Sequence, residues 1–171
     1  MTHGHPTPHL THPEPVQPDE FRSLMSDFPT GVAVVTTIDE GQPWGMTCSS
    51  LCSLSVSPPT LLVCLRAESP TLGALLRQGT FAVNLLHGDA RAVGELFSSG
   101  ATDRFDQVTW SAGATGPHLT EHAHAIADCR VTRTVDGGSH VIVFGEVVHV
   151  SRDDLRSPLL YGRRGYHTWA S

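Results

Sequence analysis

Ordered patterning of apolar and polar positions begins near residue 19. Phe21, Leu24, Met25 and Phe28 fall at helical spacing, with Asp19 placed to cap the helix and Pro29-Thr30-Gly31 to end it. The β-branched run from Val32 to Ile38 reads as a strand. Asp39 to Pro43 is a turn cluster, and Trp44 to Thr47 returns as the second strand of a hairpin. Ser49 to Ser57 interleaves Leu51, Leu54 and Val56 with serines and stops at Pro58-Pro59. Thr60 to Arg66 is apolar nearly throughout, which predicts a strand buried on both faces. Ser69-Pro70-Thr71 opens a short helix reaching Arg77, with Ser69 as cap and Pro70 at the first helical position. Thr80 to Leu86 is again a strand. Asp89 to Phe97 is a helix with Ala92, Val93, Leu96 and Phe97 on one side.

Ser98 to Thr115 is rich in Gly and Ser and predicts mostly loop. His124 to Val135 and Ser139 to Val150 predict two long strands joined around Asp136-Gly137-Gly138. Tyr161 to Trp169 is an aromatic and basic end segment, and no internal repeat is visible. Many antiparallel strands with two or three short helices predict a closed or partly closed β-barrel. Residues 1–18 differ from the rest. His3, His5, His9 and His12 stand among five prolines with too few apolar residues to pack, which predicts a solvated tail ahead of one folded domain over 19–171.

Composition narrows the function. Hydrophobic residues make up 39% of the chain and charged residues 16%, the balance of a folded domain. A net charge of -6 argues against a general nucleic-acid binder. No apolar run approaches the ~20 residues of a membrane helix, and no secretory signal precedes the domain, so a cytoplasmic protein is expected. All 11 basic residues are Arg, which excludes a Schiff-base or P-loop lysine. Cys48, Cys52, Cys64 and Cys129 read as reduced thiols, since no second pair follows Cys48 and Cys52 to make a zinc ribbon. A metal site remains open as another class of reading. His118, His122 and His124 lie within seven residues, with Cys129 close behind and His122 and His124 on one face of a strand.

Three segments carry candidate chemistry. The helix opening at Ser69-Pro70-Thr71 offers backbone N–H groups, a positive dipole end and hydroxyls, and can hold a phosphate without lysine. The small side chains of Met46-Thr47-Cys48-Ser49-Ser50-Leu51 let a planar ligand lie close to backbone amides. His140, after Gly137-Gly138-Ser139, begins a strand and can stack on or hydrogen-bond to a polar ring. Taken singly, each has a bland equivalent: a plain cap, a solvated edge strand and a structural histidine.

In order and spacing these segments resemble the flavin reductase family of split β-barrel proteins, the NAD(P)H:flavin reductases that serve two-component monooxygenases. The resemblance spans Phe21 to Trp169. It rests on Phe-Pro-Thr-Gly-Val-Ala-Val-Val-Thr at 28–36, Gly45-Met46-Thr47-Cys48-Ser49-Ser50, Ser55 to Pro59, and Glu68-Ser69-Pro70-Thr71. It continues through Phe81-Ala82-Val83-Asn84-Leu85-Leu86, Asp103-Arg104-Phe105, Gly138-Ser139-His140 and Tyr161 to Tyr166.

The resemblance implies a mainly β fold with short helices, an FMN-binding split barrel of antiparallel Greek-key type. It implies a homodimer holding FMN or FAD near the subunit interface, NADH or NADPH as donor, and a flavin-dependent monooxygenase partner fed by diffusion. Thr47, Ser49 and Ser50 would face the isoalloxazine and ribityl portions, and Ser69 and Thr71 the phosphate. His140 would sit beside the nicotinamide as the catalytic residue, and Tyr166 with nearby arginines would close over the nucleotide. Thr30, Met46, Cys48, Pro70, Asn84 and Phe105 complete the implied cofactor-binding set. Two positions depart from the family pattern: Ser139 stands where Asp is usual, and Cys48 where Asn is frequent. Hydride transfer between two cofactors requires alignment of rings and no protein nucleophile, which suits a chain without an evident triad. The same fold also suits a flavoprotein that keeps its FMN for a reaction of its own.

Overall fold

A computed structural model describes residues 14–169. The histidines of the predicted tail lie outside the described residues, and 14–17 carry no regular secondary structure. Helix α1 spans Pro18–Ser26, two residues earlier than expected. Gln17, not Asp19, holds the cap position, and its backbone N–H donates to the Glu20 carboxylate at 3.2 Å. Pro18 explains the shift, because a proline fits the first helical position, where no N–H is needed.

The strands follow as β1 (Thr30–Gly31), β2 (Ala33–Asp39), β3 (Gln42–Cys48), β4 (Leu51–Val56) and β5 (Pro59–Arg66). Helix α2 (Pro70–Gln78) ends where Gly79 takes a left-handed φ of 69°. Then come β6 (Thr80–Leu86), α3 (Arg91–Ser98), a 3-10 turn at Arg104–Gln107, β7 (Ser111–Ala112) and β8 (Pro117–His118). The long hairpin is β9 (Ala123–Asp136) with β10 (His140–Arg152), and β11 (Leu159–Gly162) with β12 (Gly165–Thr168) closes the chain.

Seven strands form one antiparallel sheet in the order β3-β2-β6-β9-β10-β5-β4. The two edge strands are consecutive in the chain and joined only by Ser49 and Ser50. β1, β11 and β12 make a second sheet. Strand β2, between β3 and β6, is buried on both faces: Ala33 and Val35 enter one apolar cluster with Leu72, Leu75 and Phe81, while Val34 joins a second with Val93, Phe97 and Leu119. One cluster is thus covered by α2 and the other by α3. β5 is different from expectation. Val63 and Leu65 are buried, but Leu62 and Cys64 on the opposite face are only half-buried, because α2 and α3 pack on β2, β3 and β6 and not on this strand.

Buried polar groups tie the loop before β9 to the sheet. Asn84 is fully buried and uses both ends of its amide: it donates to the carbonyls of Val34 and Pro117 and accepts the Leu119 N–H at 2.8 Å. Asp128 is also buried and accepts from the Thr115 hydroxyl and N–H and from the His118 ring at 2.9 Å. Burial alone raises its carboxyl pKa, but the hydrogen bonds from Thr115 and His118 outweigh this and hold it below the ordinary carboxylate range.

Candidate active site

A cavity of about 1220 Å³ opens over the edge of β3. Its floor is Gly45, Met46 and Thr47. Glycine at 45 is required by the packing: a Cβ there would lie 2.9 Å from Phe97 and 3.0 Å from Phe105, the two rings that wall the cavity. These rings meet edge to face at 5.0 Å, and Phe105 meets Trp110 in the same way at 5.8 Å. Thr47 donates its hydroxyl to the Gly94 carbonyl at 2.7 Å, which anchors β3 to α3.

On the other side stands the N-terminus of α2, with Ser69, Pro70 and Thr71 lining the cavity. Ser69 sits at the cap position, yet its hydroxyl points to the Met46 sulfur at 3.2 Å and makes no cap hydrogen bond. The first N–H groups of a nine-residue helix therefore face the cavity without a side-chain acceptor. The third wall is the turn of the long hairpin, Gly138-Ser139-His140, with Arg66 directly across from His140 in the β5–β10 register. Gly138 supplies the left-handed turn at φ 81°, and Asp136 accepts its N–H at 2.8 Å. The Ser139 hydroxyl lies 3.0 Å from Nδ1 of His140, so this serine can orient the ring where the family pattern would offer a carboxylate.

Of the residues picked from the sequence, the cavity brings together Met46, Thr47, Ser69, Pro70, Thr71, Phe105 and His140. Cys48, Ser49 and Ser50 adjoin its floor but do not line it. Cys48 is buried, which pushes its thiol pKa up, and its sulfur lies 3.4 Å from the Ser50 hydroxyl. Thr30 lies in β1, opposite Tyr161 in β11. Asn84 is committed to the core contacts described above. Tyr166 packs edge-on to Tyr161 at 5.2 Å beneath the Arg91 guanidinium. Trp44, Arg66, Phe97 and Arg104 line the cavity as well, beyond the residues the sequence points to. For Arg104 the signal is its place beside Phe105 in the Asp-Arg-Phe motif.

The metal alternative is not supported. His118 is spent on Asp128, His122 lies in the turn before β9 and not on the strand, and Cys129 is buried in the apolar core beside Phe81. Among the described residues no three potential ligands converge.

The cavity exceeds the ~300–1,000 Å³ of a typical single-ligand pocket, and it combines a small-residue floor, a helix N-terminus and arginines.

Residues 25–170 match the family described as flavin reductase like domain, and the chain belongs to that family. It is 53% identical over 154 residues to a flavin reductase (NADPH) of Lentzea aerocolonigenes, covering 88% of this chain and 89% of that protein. It is 35% identical over 153 residues to the flavin-dependent monooxygenase reductase subunit HsaB of Rhodococcus jostii, covering 90% and 78% of the two chains. Among solved structures it is similar to the Streptomyces globisporus NADH:FAD oxidoreductase SgcE6 in complex with NAD and FAD fragments. The TM-score there is 0.84 at 33% identity, covering 92% of this chain and 98% of that one.

Proposed function

We propose that this protein uses NADH or NADPH to reduce FMN or FAD and releases the reduced flavin to a monooxygenase partner. The observation that carries the reading is the cavity itself, which joins a phosphate-ready helix end, a flat small-residue floor and His140 in one open space. Bound together there, the two cofactors supply the hydride chemistry. The chain holds and aligns them: Met46 and Thr47 under the flavin, Ser69 and Thr71 at its phosphate, and His140, steadied by Ser139, beside the nicotinamide. Openness on one side suits a flavin that arrives and leaves. Its test is nicotinamide absorbance followed with NADH or NADPH and with FMN, FAD or riboflavin added in turn. Consumption that depends on added flavin supports the reading. A yellow sample that keeps its flavin and ignores added flavin replaces it with a self-contained flavoprotein. His140→Ala is expected to slow flavin reduction more than it weakens flavin binding, and equal losses of both would remove His140 from the reaction.

The chain acts as a homodimer in this reading. Support comes from the apolar face of α1, where Phe21 is 54% and Leu24 68% exposed, and from Val148 and Val150 exposed on β10. The sheet completes an FMN-binding split barrel of Greek-key type, supported by edge strands that are linked through Ser49-Ser50 alone. A cytoplasmic location agrees with four free cysteines.

A further inference from the structure

Three segments are tied together at His87, just past the end of β6: the chain leading into α3, the turn before β9, and the strap from β10 to β11. The backbone N–H of His87 donates to the His122 carbonyl at 3.0 Å, and His87 pairs with Pro158 as an isolated bridge. Gly88 donates its N–H to the Ser157 carbonyl at 2.8 Å. The Glu121 carbonyl accepts from Nε2 of His87 at 2.9 Å and from Nη1 of Arg156 at 2.6 Å.

His87 is only 8% exposed, and both of its ring nitrogens are used. A carbonyl faces Nε2, so Nε2 carries a hydrogen. The Asp89 N–H donates to Nδ1 at 3.2 Å, so Nδ1 is bare. These contacts fit the neutral Nε2–H tautomer alone. A proton on Nδ1 would set two donors against each other in a nearly enclosed place.

A second partner for that proton stands close by. Oδ2 of Asp89 lies 3.9 Å from Nδ1, on a side chain that is otherwise open to solvent. The remaining charges nearby are committed, turned outward or positive. Asp153 pairs with Arg156 and Asp154 with Arg152, and Glu121 is exposed. His122 and His124 are held below the ordinary histidine range, chiefly by burial. Positive charge on His87 pushes both the same way, as do Arg156 at His122 and Arg152 at His124, while Glu121 opposes it at His122.

We propose that His87 is a pH-operated switch: neutral, it holds the start of α3 in place against the flavin cavity, and charged, it releases it. This rests on the flavin-reductase reading of that cavity. On protonation the Asp89 N–H leaves Nδ1, and the Asp89 carboxylate takes the new N–H. The turn from His87 to Ala90 must then re-form. That turn sets the first residues of α3, through the Ala90 N–H on the His87 carbonyl at 2.8 Å and the Gly94 N–H on the Ala90 carbonyl at 3.1 Å. The Gly94 carbonyl accepts the Thr47 hydroxyl from the cavity floor, and Phe97 walls the cavity further along the same helix. His87 thus acts on a cavity that it does not line.

The test compares the full chain as wild type, His87→Asn and Asp89→Ala between about pH 7.5 and 5.5, where histidines ordinarily gain charge. In His87→Asn the amide oxygen takes the place of Nδ1 as acceptor, and nothing titrates. Riboflavin is the probe, since it carries no phosphate to titrate in this interval. Acidification is expected to weaken riboflavin binding to wild type on the order of five-fold, read by fluorescence titration. Hydrogen-exchange protection of the Val93 and Gly94 amides falls with it. His87→Asn removes both changes. Asp89→Ala deprives the charged ring of its partner and moves both to lower pH. Wild-type protection that ignores pH overturns the proposal, as does a His87→Asn protein that keeps the wild-type profile. Protection that falls while riboflavin affinity holds overturns it too, because α3 would then move without the cavity. If His87→Asn does not fold, Asp89→Ala decides, and an unmoved midpoint overturns the switch. Exchange needs no ligand, so the two readings fail separately: a pH-dependent loss of protection in a chain that binds no riboflavin at any pH removes the flavin reading and leaves the switch in α3.

Discussion

Gly45→Ala tests whether the aromatic wall is as tightly set as the geometry says. The new Cβ would stand 2.9 and 3.2 Å from two atoms of Phe97 and 3.0 Å from Phe105. Ordinary carbon contacts lie at about 3.5–4.0 Å, so the rings must retreat by roughly 0.5–1 Å. Phe97 is fully buried and has nowhere to go. Phe105 is half-buried on the cavity wall and must yield, leaving its edge-on contacts with Phe97 and Trp110. Overpacking of this kind costs about 1–3 kcal/mol. The loss of glycine's backbone freedom in the unfolded chain returns ~0.5–1 kcal/mol, which leaves a net loss of about 1–2 kcal/mol. For a chain of this size that is a drop of about 3–8 °C in Tm, read by circular dichroism. Because Phe105 yields into the cavity, KM for flavin rises in the same variant. Gly73→Ala is the internal control: its Cβ would meet only Nη1 of Arg77, at 3.4 Å, an ordinary van der Waals contact, within helix α2. It is expected to raise Tm by a few degrees, since Ala is favoured over Gly in helices by ~1 kcal/mol. A Gly45→Ala protein as stable as wild type, with unchanged flavin KM, would refute the reasoning.

Two further outcomes follow from the rest of the molecule. Asp128→Ala removes a buried carboxylate from three donors and is expected to cost about 3 kcal/mol at neutral pH, seen in denaturant unfolding. Because the Asp128 pKa is lowered in the folded state, its stabilisation is present above the ordinary value near 4 and fades as pH falls through the depressed one. The gap between wild type and variant therefore narrows on acidification, and a gap that widens would contradict the assignment. Phe21→Glu with Leu24→Glu places charge on the exposed face of α1 and is expected to shift the protein toward monomer in light scattering; an unchanged mass would place the dimer contact elsewhere.

The elements legible in the sequence are those whose reasons are local. The long hairpin follows from two alternating runs around Gly137-Gly138, and the start of α2 follows from Ser69 and Pro70. The same local logic fails where a side chain has a better partner far away. Ser69 reads as a cap, yet its hydroxyl is turned to Met46, twenty-three residues earlier, which is what leaves the helix N-terminus open toward the cavity. His118 reads as a metal ligand because of its neighbours His122 and His124, but its partner is Asp128, placed beneath it by the pairing of β6 with β9. Asn84 reads as a cofactor contact from its place in a family motif, and the fold spends it on Pro117 and Leu119. Arg104 is the sharpest case. Its residue type is ordinary and its Asp-Arg-Phe motif stands in the sequence, but the property that sets it apart, a guanidinium on the cavity wall with no carboxylate partner where most arginines have one, belongs to the fold. That lack is a fact about the whole folded chain, so it becomes visible only when the partners of every other arginine are known.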